Sequence, residues 1–71
     1  MTPDKLIQMA NQIATFFATQ PGTDQAARVA AHLNDFWDPR MRAALLAHVR
    51  AGGAGLSPLA LAAVPMIREP A

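Results

Sequence analysis

The apolar positions between residues 2 and 20 follow the period of an α-helix. At about 100° per residue they fill one half of the helical wheel, and amides and hydroxyls with a single charge fill the other. Thr2 can cap this helix, and Pro3 suits its first position. The apolar arc of roughly 180° is wider than the ~100° stripe that packs on one core surface. The pattern predicts a helix over residues 2–20 whose broad face either fills a small core or contacts another protein.

Two further helices are predicted on either side of a proline. Gln20-Pro21-Gly22 predicts a turn, after which Thr23 can cap a helix over residues 23–37 that ends in Phe36 and Trp37. Asp38-Pro39 ends that helix, because the residue before a proline avoids helical angles. Asp38 is also a good N-cap and Pro39 a good first residue, so a third helix is expected over residues 39–51. So short a break predicts a helical corner at Asp38-Pro39.

The last part of the chain is rich in helix-ending residues. Gly52-Gly53-Ala54-Gly55 is expected to end the third helix, and Ser57-Pro58 to begin a short fourth helix over residues 58–64. Pro65 is expected to stop that helix, leaving residues 65–71 as a tail. The predicted fold class is all-α: residues 1–71 form a single helical domain, a small bundle of three to four short helices.

Length and composition indicate a marginally stable domain that gains stability from a partner. The chain has 71 residues, no cysteine, a net charge of +1 and only 15% charged residues. A chain this short buries only about 60% of its unfolded surface, and alanine supplies much of its apolar content. No secretory signal is visible, and the apolar stretch at residues 59–66 is far shorter than the roughly 20 residues of a membrane span. We therefore expect a cytoplasmic protein.

Candidate chemical motifs are weak. The glycines follow a helix and lack a Gly-Lys-Ser/Thr sequence, so they are typical of a helix stop and not of a phosphate loop. A metal site at His32, Asp35 and His48 is disfavoured against structural histidines, because metal-ligand spacing is absent. Ser57 is expected to act as a cap, and the carboxylates are scattered. We therefore expect no catalytic residues.

The third helix offers two interaction hypotheses. Arg42, Leu46 and Arg50 recur every four residues, which predicts either an outward contact strip or a solvated face with one stray leucine. The helix–turn–helix outline also suggests a nucleic-acid reader. Arg40 and Arg42, however, project about 200° apart on an ideal helix, and the net charge is close to zero. Protein binding is therefore favoured over nucleic-acid binding.

Four segments of the chain resemble one known family. They cover most of residues 4–62, and the Phe-Trp-x-Pro-Arg-Met-Arg string is their most specific part. The residues that carry the resemblance are Asp4-Lys5-Leu6-Ile7, Met9-Ala10-Asn11-Gln12-Ile13-Ala14, Phe16-Phe17, Val29-Ala30, His32-Leu33, Phe36-Trp37-Asp38-Pro39-Arg40-Met41-Arg42, Gly52-Gly53, Gly55-Leu56 and Pro58-Leu59. In these residues the sequence resembles the delta subunit of NAD-dependent, molybdenum-containing formate dehydrogenases.

The resemblance implies a non-catalytic accessory role in a cytoplasmic complex that oxidises formate to carbon dioxide and reduces NAD. The implied alpha subunit carries a bis-molybdopterin guanine dinucleotide molybdenum centre and iron–sulfur clusters. Beta and gamma subunits carry FMN, further clusters and the NAD site. The delta chain itself is expected to bind no cofactor and to support assembly or stability of the large subunits. The alternatives are a dissociable chaperone for cofactor insertion and, less favoured, a helix-turn-helix regulator.

Aromatic and arginine side chains are enriched at the centres of protein interfaces. We call Phe36-Trp37-Asp38-Pro39-Arg40-Met41-Arg42 the central motif, and we predict that it binds the alpha subunit together with the strip on the third helix. An alternative keeps Phe36, Trp37 and Met41 inside the core and leaves only arginines for the partner. The predicted partner-binding residues are Phe36, Trp37, Pro39, Arg40, Met41, Arg42, Leu46 and Arg50.

Overall fold

The structure, a computed structural model, describes residues 2–69. Within them the chain forms α1 (Pro3–Ala18), α2 (Gln25–Phe36), α3 (Pro39–Arg50) and α4 (Pro58–Ala63), followed by a 3-10 turn at Val64–Met66. No strand occurs in this part of the chain, and the all-α prediction is confirmed. Helix α1 packs against the other three helices, and α2 packs against α4 and the 3-10 turn. The four helices therefore share one core.

Three of the helices begin at the residues that the sequence predicts as caps. The side-chain oxygens of Thr2, Asp38 and Ser57 each accept a hydrogen bond from the backbone N–H three residues later, at 3.3, 2.9 and 3.3 Å. A proline follows each cap at the first helical position, where its missing N–H costs no helical hydrogen bond. These caps account for the starts of α1, α3 and α4.

Helix α2 does not start where the sequence pattern places it. The expected cap, Thr23, lies outside the helix, and Asp24 occupies the cap position without a side-chain capping bond. Instead, the Gln25 side-chain amide donates to the carbonyls of Gln20 and Gly22, at 3.3 and 2.7 Å. This folds the loop back on the helix, so the first residue of α2 is Gln25.

The glycine cluster ends α3, as predicted. The Gly52 N–H donates to the Val49 carbonyl and the Gly53 N–H donates to the His48 carbonyl, both at 3.0 Å. This pair of bonds is the Schellman arrangement, which needs residues with positive φ after the helix. Gly53 has φ +68°, and a Cβ there would lie 3.1 Å from Leu61 Cδ2. Backbone angle and close packing therefore both favour glycine at position 53.

Two asparagine side chains tie distant segments to the helices. Asn11 on α1 donates to the Gly55 carbonyl and accepts from the Ser57 N–H, both at 2.8 Å. Asn34 on α2 donates to the Met66 carbonyl at 3.1 Å and accepts from the Arg68 N–H at 2.8 Å. Each amide thus satisfies one backbone donor and one backbone acceptor, and we call these contacts the asparagine clamps.

The segment after α4 is not a free tail up to residue 69. The chain continues through Pro65 in the 3-10 turn, and Ile67 is buried in the core. The Asn34 clamp holds the backbone on both sides of Ile67, which explains the difference from the expected tail. The remainder of that prediction, residues 70 and 71, lies outside the described residues.

The core consists of Leu6, Ala10, Ala14, Val29, Ala30, Leu33, Trp37, Leu45, Leu46, Leu56, Ala60, Ala63 and Ile67.

Candidate interaction surface

A cleft of about 310 Å³ lies between α1 and α2. Its walls are apolar apart from one amide and one imidazole, because this side of α1 carries large apolar side chains that the small core does not cover. Phe16 is 58% exposed here, although exposing a large aromatic side chain to water is unfavourable. We call this feature the α1–α2 cleft; its lining residues are Met9, Gln12, Ile13, Phe16, Phe17 and His32.

Aromatic rings continue from this cleft to the end of α2. The Phe16 and Phe17 rings meet edge to face with centroids 5.1 Å apart, and His32 lies 6.1 Å from Phe17. The Phe36 ring lies 4.7 Å from His32 and is 74% exposed. The cleft and Phe36 therefore form one continuous aromatic surface.

The helix beside this surface carries almost no charge. Residues 6–23 include no Asp, Glu, Lys or Arg, so the exposed face of α1 has amide and hydroxyl side chains. A solvent-facing helix usually shows charged residues opposite its apolar stripe. The centres of protein interfaces, in contrast, are depleted of charge and enriched in aromatic residues and methionine. The composition of this surface is that of an interface centre.

A second, smaller cleft of about 240 Å³ lies between α1 and α3. It is lined by Leu6, Arg40, Met41 and Ala44. Leu6 and Met9, which line the two clefts, lie one helical turn apart on α1. We call the α1–α2 cleft, Phe36 and this second cleft together the candidate surface.

Several of the predicted partner-binding residues lie on or beside this surface. Phe36, Pro39 and Arg40 are exposed, and Met41 is half-buried against the core and lines the second cleft. These residues are accessible to a partner, and their role in binding stays a prediction. The exposure of Phe36 also excludes the alternative that placed its side chain inside the core.

Trp37 does not present its side chain to a partner. It is only 5% exposed and belongs to the core, as the alternative interpretation held. Trp37 lies one turn after the buried Leu33 and continues the core stripe of α2, whereas Phe36 projects about 100° away from it. Its place in the predicted contact is therefore corrected: the Trp37 side chain lies in the core.

The predicted outward strip on α3 is also corrected. Leu46 is only 6% exposed, and the two arginines that flank it are engaged within the chain. The Arg42 guanidinium donates to the carbonyls of Trp37 and Arg68, at 2.8 and 3.1 Å, and Arg50 forms an ion pair with Glu69. These contacts bring residues 68 and 69 against the two arginines that flank Leu46 on α3. The sequence gives no sign of these contacts, because they depend on the return of a distant segment.

The histidines are not brought together as metal ligands. His48 Nε2 lies 2.8 Å from the Ala54 carbonyl oxygen, and His32 lies among aromatic rings. Within residues 2–69, no three His, Asp or Glu side chains are close enough to hold a metal ion. The interpretation of His48 as a structural residue is supported by its hydrogen bond to the glycine loop.

Sequence reasoning missed Met9, Ile13, Phe16 and His32 as site residues. The signal for three of them was present in the wide apolar arc of α1, which required more surface than one small core offers. His32 gave no such signal, since its place in the cleft depends on how α2 packs against α1. The interface was expected mainly on α3, whereas the two most exposed large apolar side chains are Phe16 on α1 and Phe36 on α2.

Within residues 2–69, no helix has the length and apolar character that crossing a membrane requires. Comparison with curated proteins gives no match. A protein-family model described as "NADH-dependant formate dehydrogenase delta subunit FdsD" matches residues 5–64. The match includes α1 from Lys5 onward, all of α2, α3 and α4, both clefts and the central motif, and it confirms the resemblance seen in the sequence. The chain therefore belongs to the family of delta subunits of NADH-dependent formate dehydrogenase.

Proposed function

We propose that this chain is a non-catalytic accessory subunit that supports assembly or stability of the molybdenum-containing alpha subunit. The observation that carries the proposal is the uncharged aromatic surface of the α1–α2 cleft and Phe36, on a member of the delta-subunit family. A family of enzyme subunits implies association with a formate dehydrogenase complex. The surface supplies the means of that association.

The energetic argument favours a covered surface. Burying a large apolar side chain is worth about 1.5–3 kcal/mol relative to leaving it exposed. A domain of this size has only about 3–5 kcal/mol of stability from its core. Because Phe16 is 58% and Phe36 74% exposed, covering both would contribute about 2–4 kcal/mol, which is comparable to the stability of the fold.

The proposed complex carries the chemistry on other subunits. These are the alpha subunit with bis-molybdopterin guanine dinucleotide molybdenum and iron–sulfur clusters, and beta and gamma subunits with FMN, clusters and the NAD site. The present chain has no cysteine to bind a cluster, and its described histidines and carboxylates do not form a ligand set. Its residues do not fit these groups, so we assign it no step of the reaction. The proposed location is the cytoplasm.

A dissociable assembly chaperone is the second candidate. The observation in its favour is that the core and the asparagine clamps close the fold within one chain. Such a chain keeps its structure when it leaves a partner, as a chaperone for cofactor insertion must. Nucleic-acid binding gains less support, because Arg42 and Arg50 on α3 are engaged within the chain and Arg40 alone does not form a basic face.

The test is a pull-down of the tagged chain from its native host, with formate-dependent NAD reduction, molybdenum, iron and FMN assayed in the eluate. Recovery of all of these in constant proportion to the chain is expected for an integral subunit. Recovery of a cofactor-free alpha subunit alone would instead establish the chaperone. Recovery of no formate dehydrogenase subunit would overturn both candidates, and a DNA shift assay would then test the regulator.

A further inference from the structure

Five of the six lysine and arginine side chains fall into two groups, and the sixth, Arg42, donates to the carbonyls of Trp37 and Arg68. Three arginines are held in ion pairs: Arg28 with Asp24, Arg50 with Glu69, and Arg68 with Asp35. In contrast, Lys5 and Arg40 are exposed and form no ion pair with any residue between 2 and 69. Their positive charge is therefore not compensated by a contacting carboxylate in the described structure.

Both of these cations lie at the same end of the candidate surface. Lys5 precedes Met9 by one helical turn on α1, and Arg40 lines the second cleft beside Leu6. The rest of α1 up to the turn before α2 is uncharged. The candidate surface thus has an apolar aromatic centre and one basic end.

The nearest carboxylates in the sequence serve the starts of helices. Asp38 accepts a hydrogen bond from the Met41 N–H as the cap of α3. Asp4 lies in the first turn of α1, where the helix dipole favours a negative charge, and projects about 100° away from Lys5. Neither Asp4 nor Asp38 approaches Lys5 or Arg40 closely enough for an ion pair.

We propose that this surface binds one amphipathic helix of a formate dehydrogenase subunit, with apolar side chains in the clefts and carboxylates against Lys5 and Arg40. The inference rests on the proposed function and specifies the partner element. The charge of the basic end is complementary to carboxylates, and the uncharged centre suits apolar anchors. A helix fits because each cleft is a groove between two helices, which accepts side chains spaced three or four residues apart. Residues 2–69 also offer no strand edge for an extended peptide.

The test compares two variants with the same change in net charge. Lys5→Gln/Arg40→Gln removes the two uncompensated cations, and the control Arg28→Gln/Arg50→Gln removes two cations that are held in exposed ion pairs. Because exposed ion pairs contribute little to stability, the control retains its fold, which a melting curve verifies. Each tagged variant is expressed in a host that lacks the native chain. The amount of co-purified formate dehydrogenase is then measured from 50 to about 500 mM NaCl.

We expect the Lys5/Arg40 variant to retain about tenfold less formate dehydrogenase at low salt, and its binding to depend less on salt than that of the native chain. The control variant should bind like the native chain. Equal retention by all three chains would overturn the charge-matched helix while leaving the proposed function intact. Failure of the native chain itself to retain any formate dehydrogenase would overturn the proposed function and this inference with it.

Overlapping 20-residue peptides from the co-purified subunits identify the partner element. The expected result is binding of a peptide with apolar residues at helical spacing and carboxylates at one end, and loss of that binding with Phe16→Ala or Lys5→Gln/Arg40→Gln. Binding confined to basic peptides, or to peptides without a helical apolar pattern, would overturn the inference.

Discussion

Phe36 and Trp37 are neighbours in the sequence but have opposite environments. The Phe36 ring stands outside beside His32, whereas the Trp37 ring lies in the core where α2 meets α3. Sequence reasoning predicts that a Phe-Trp pair at the end of an apolar stripe contains an important contact. It does not decide which ring is buried, because that depends on which side of α2 packs against the other helices; Trp37 lies on the side of the buried Leu33, one turn after it.

This difference predicts separable effects of two alanine substitutions. Trp37→Ala should destabilise the fold by about 3–5 kcal/mol, since it removes a large buried side chain. That is comparable to the whole stability of a domain this small, so the variant should be largely unfolded. Phe36→Ala should change stability by less than about 1 kcal/mol and should instead weaken co-purification with formate dehydrogenase. Circular dichroism melting and pull-down on each variant check this. A folded Trp37→Ala chain that still binds would show that the core does not depend on Trp37.

The asparagine clamps allow a second test at single positions. Asn11→Ala leaves the Gly55 carbonyl and the Ser57 N–H without their partner, at a cost of about 1–3 kcal/mol. For a domain of this size the midpoint of thermal unfolding should fall by roughly 4–8 °C for each kcal/mol. The matched control is Gln8→Ala, an exposed amide on the same helix. A melting temperature that is equal for both variants would argue against the clamp.

Among the helices, the predictability of each end follows from how local its cause is. Asp38 and Ser57 cap α3 and α4 through hydrogen bonds that span three residues, and the sequence predicts both. Thr23 has the right residue type, but the Gln25 amide folds the loop differently and displaces the start of α2. The α3 strip is the least local case: Leu46 is buried, and the arginines that flank it contact residues 68 and 69. Local signals therefore predicted the helices, whereas the exposed surface depended on packing between distant segments.

Asp38 and Thr23, which the sequence predicts as the caps of α3 and α2, therefore differ in their expected contribution to helix stability. Asp38→Ala removes the bond to the Met41 N–H and should cost about 1 kcal/mol, within the range of about 0.5–2 kcal/mol for lost N-caps. Thr23→Ala removes no capping bond and should stay within about ±0.5 kcal/mol, as surface substitutions usually do. Urea unfolding of both variants measures the difference in the free energy of unfolding. Equal losses would mean that Thr23 caps α2 in solution.

At the scale of the whole molecule, stability and binding are assigned to different faces of the same helices. The core side of α1 supplies Leu6, Ala10 and Ala14, while its cleft side supplies Met9 and Phe16. The apolar arc of α1 thus serves two surfaces, and its excess width is explained. Sequence alone detected the excess but assigned the partner surface mainly to α3, because nothing local shows which helix faces stay uncovered after packing.

The separation of faces predicts a variant that folds normally and fails in the complex. Phe16→Gln/Phe36→Gln replaces two exposed rings with polar side chains, so the melting temperature of the isolated chain should hold or rise slightly. Binding should fall by at least tenfold, because each lost aromatic anchor costs about 1.5–3 kcal/mol if it is buried by the partner. The control is Met66→Gln, which alters an exposed apolar side chain outside the α1–α2 cleft.

Pull-down and formate-dependent NAD reduction in the host would then show whether the aromatic surface binds the partner. Normal melting with lost retention of formate dehydrogenase means that the surface binds the partner, whereas unchanged retention places the contact on another face of the chain.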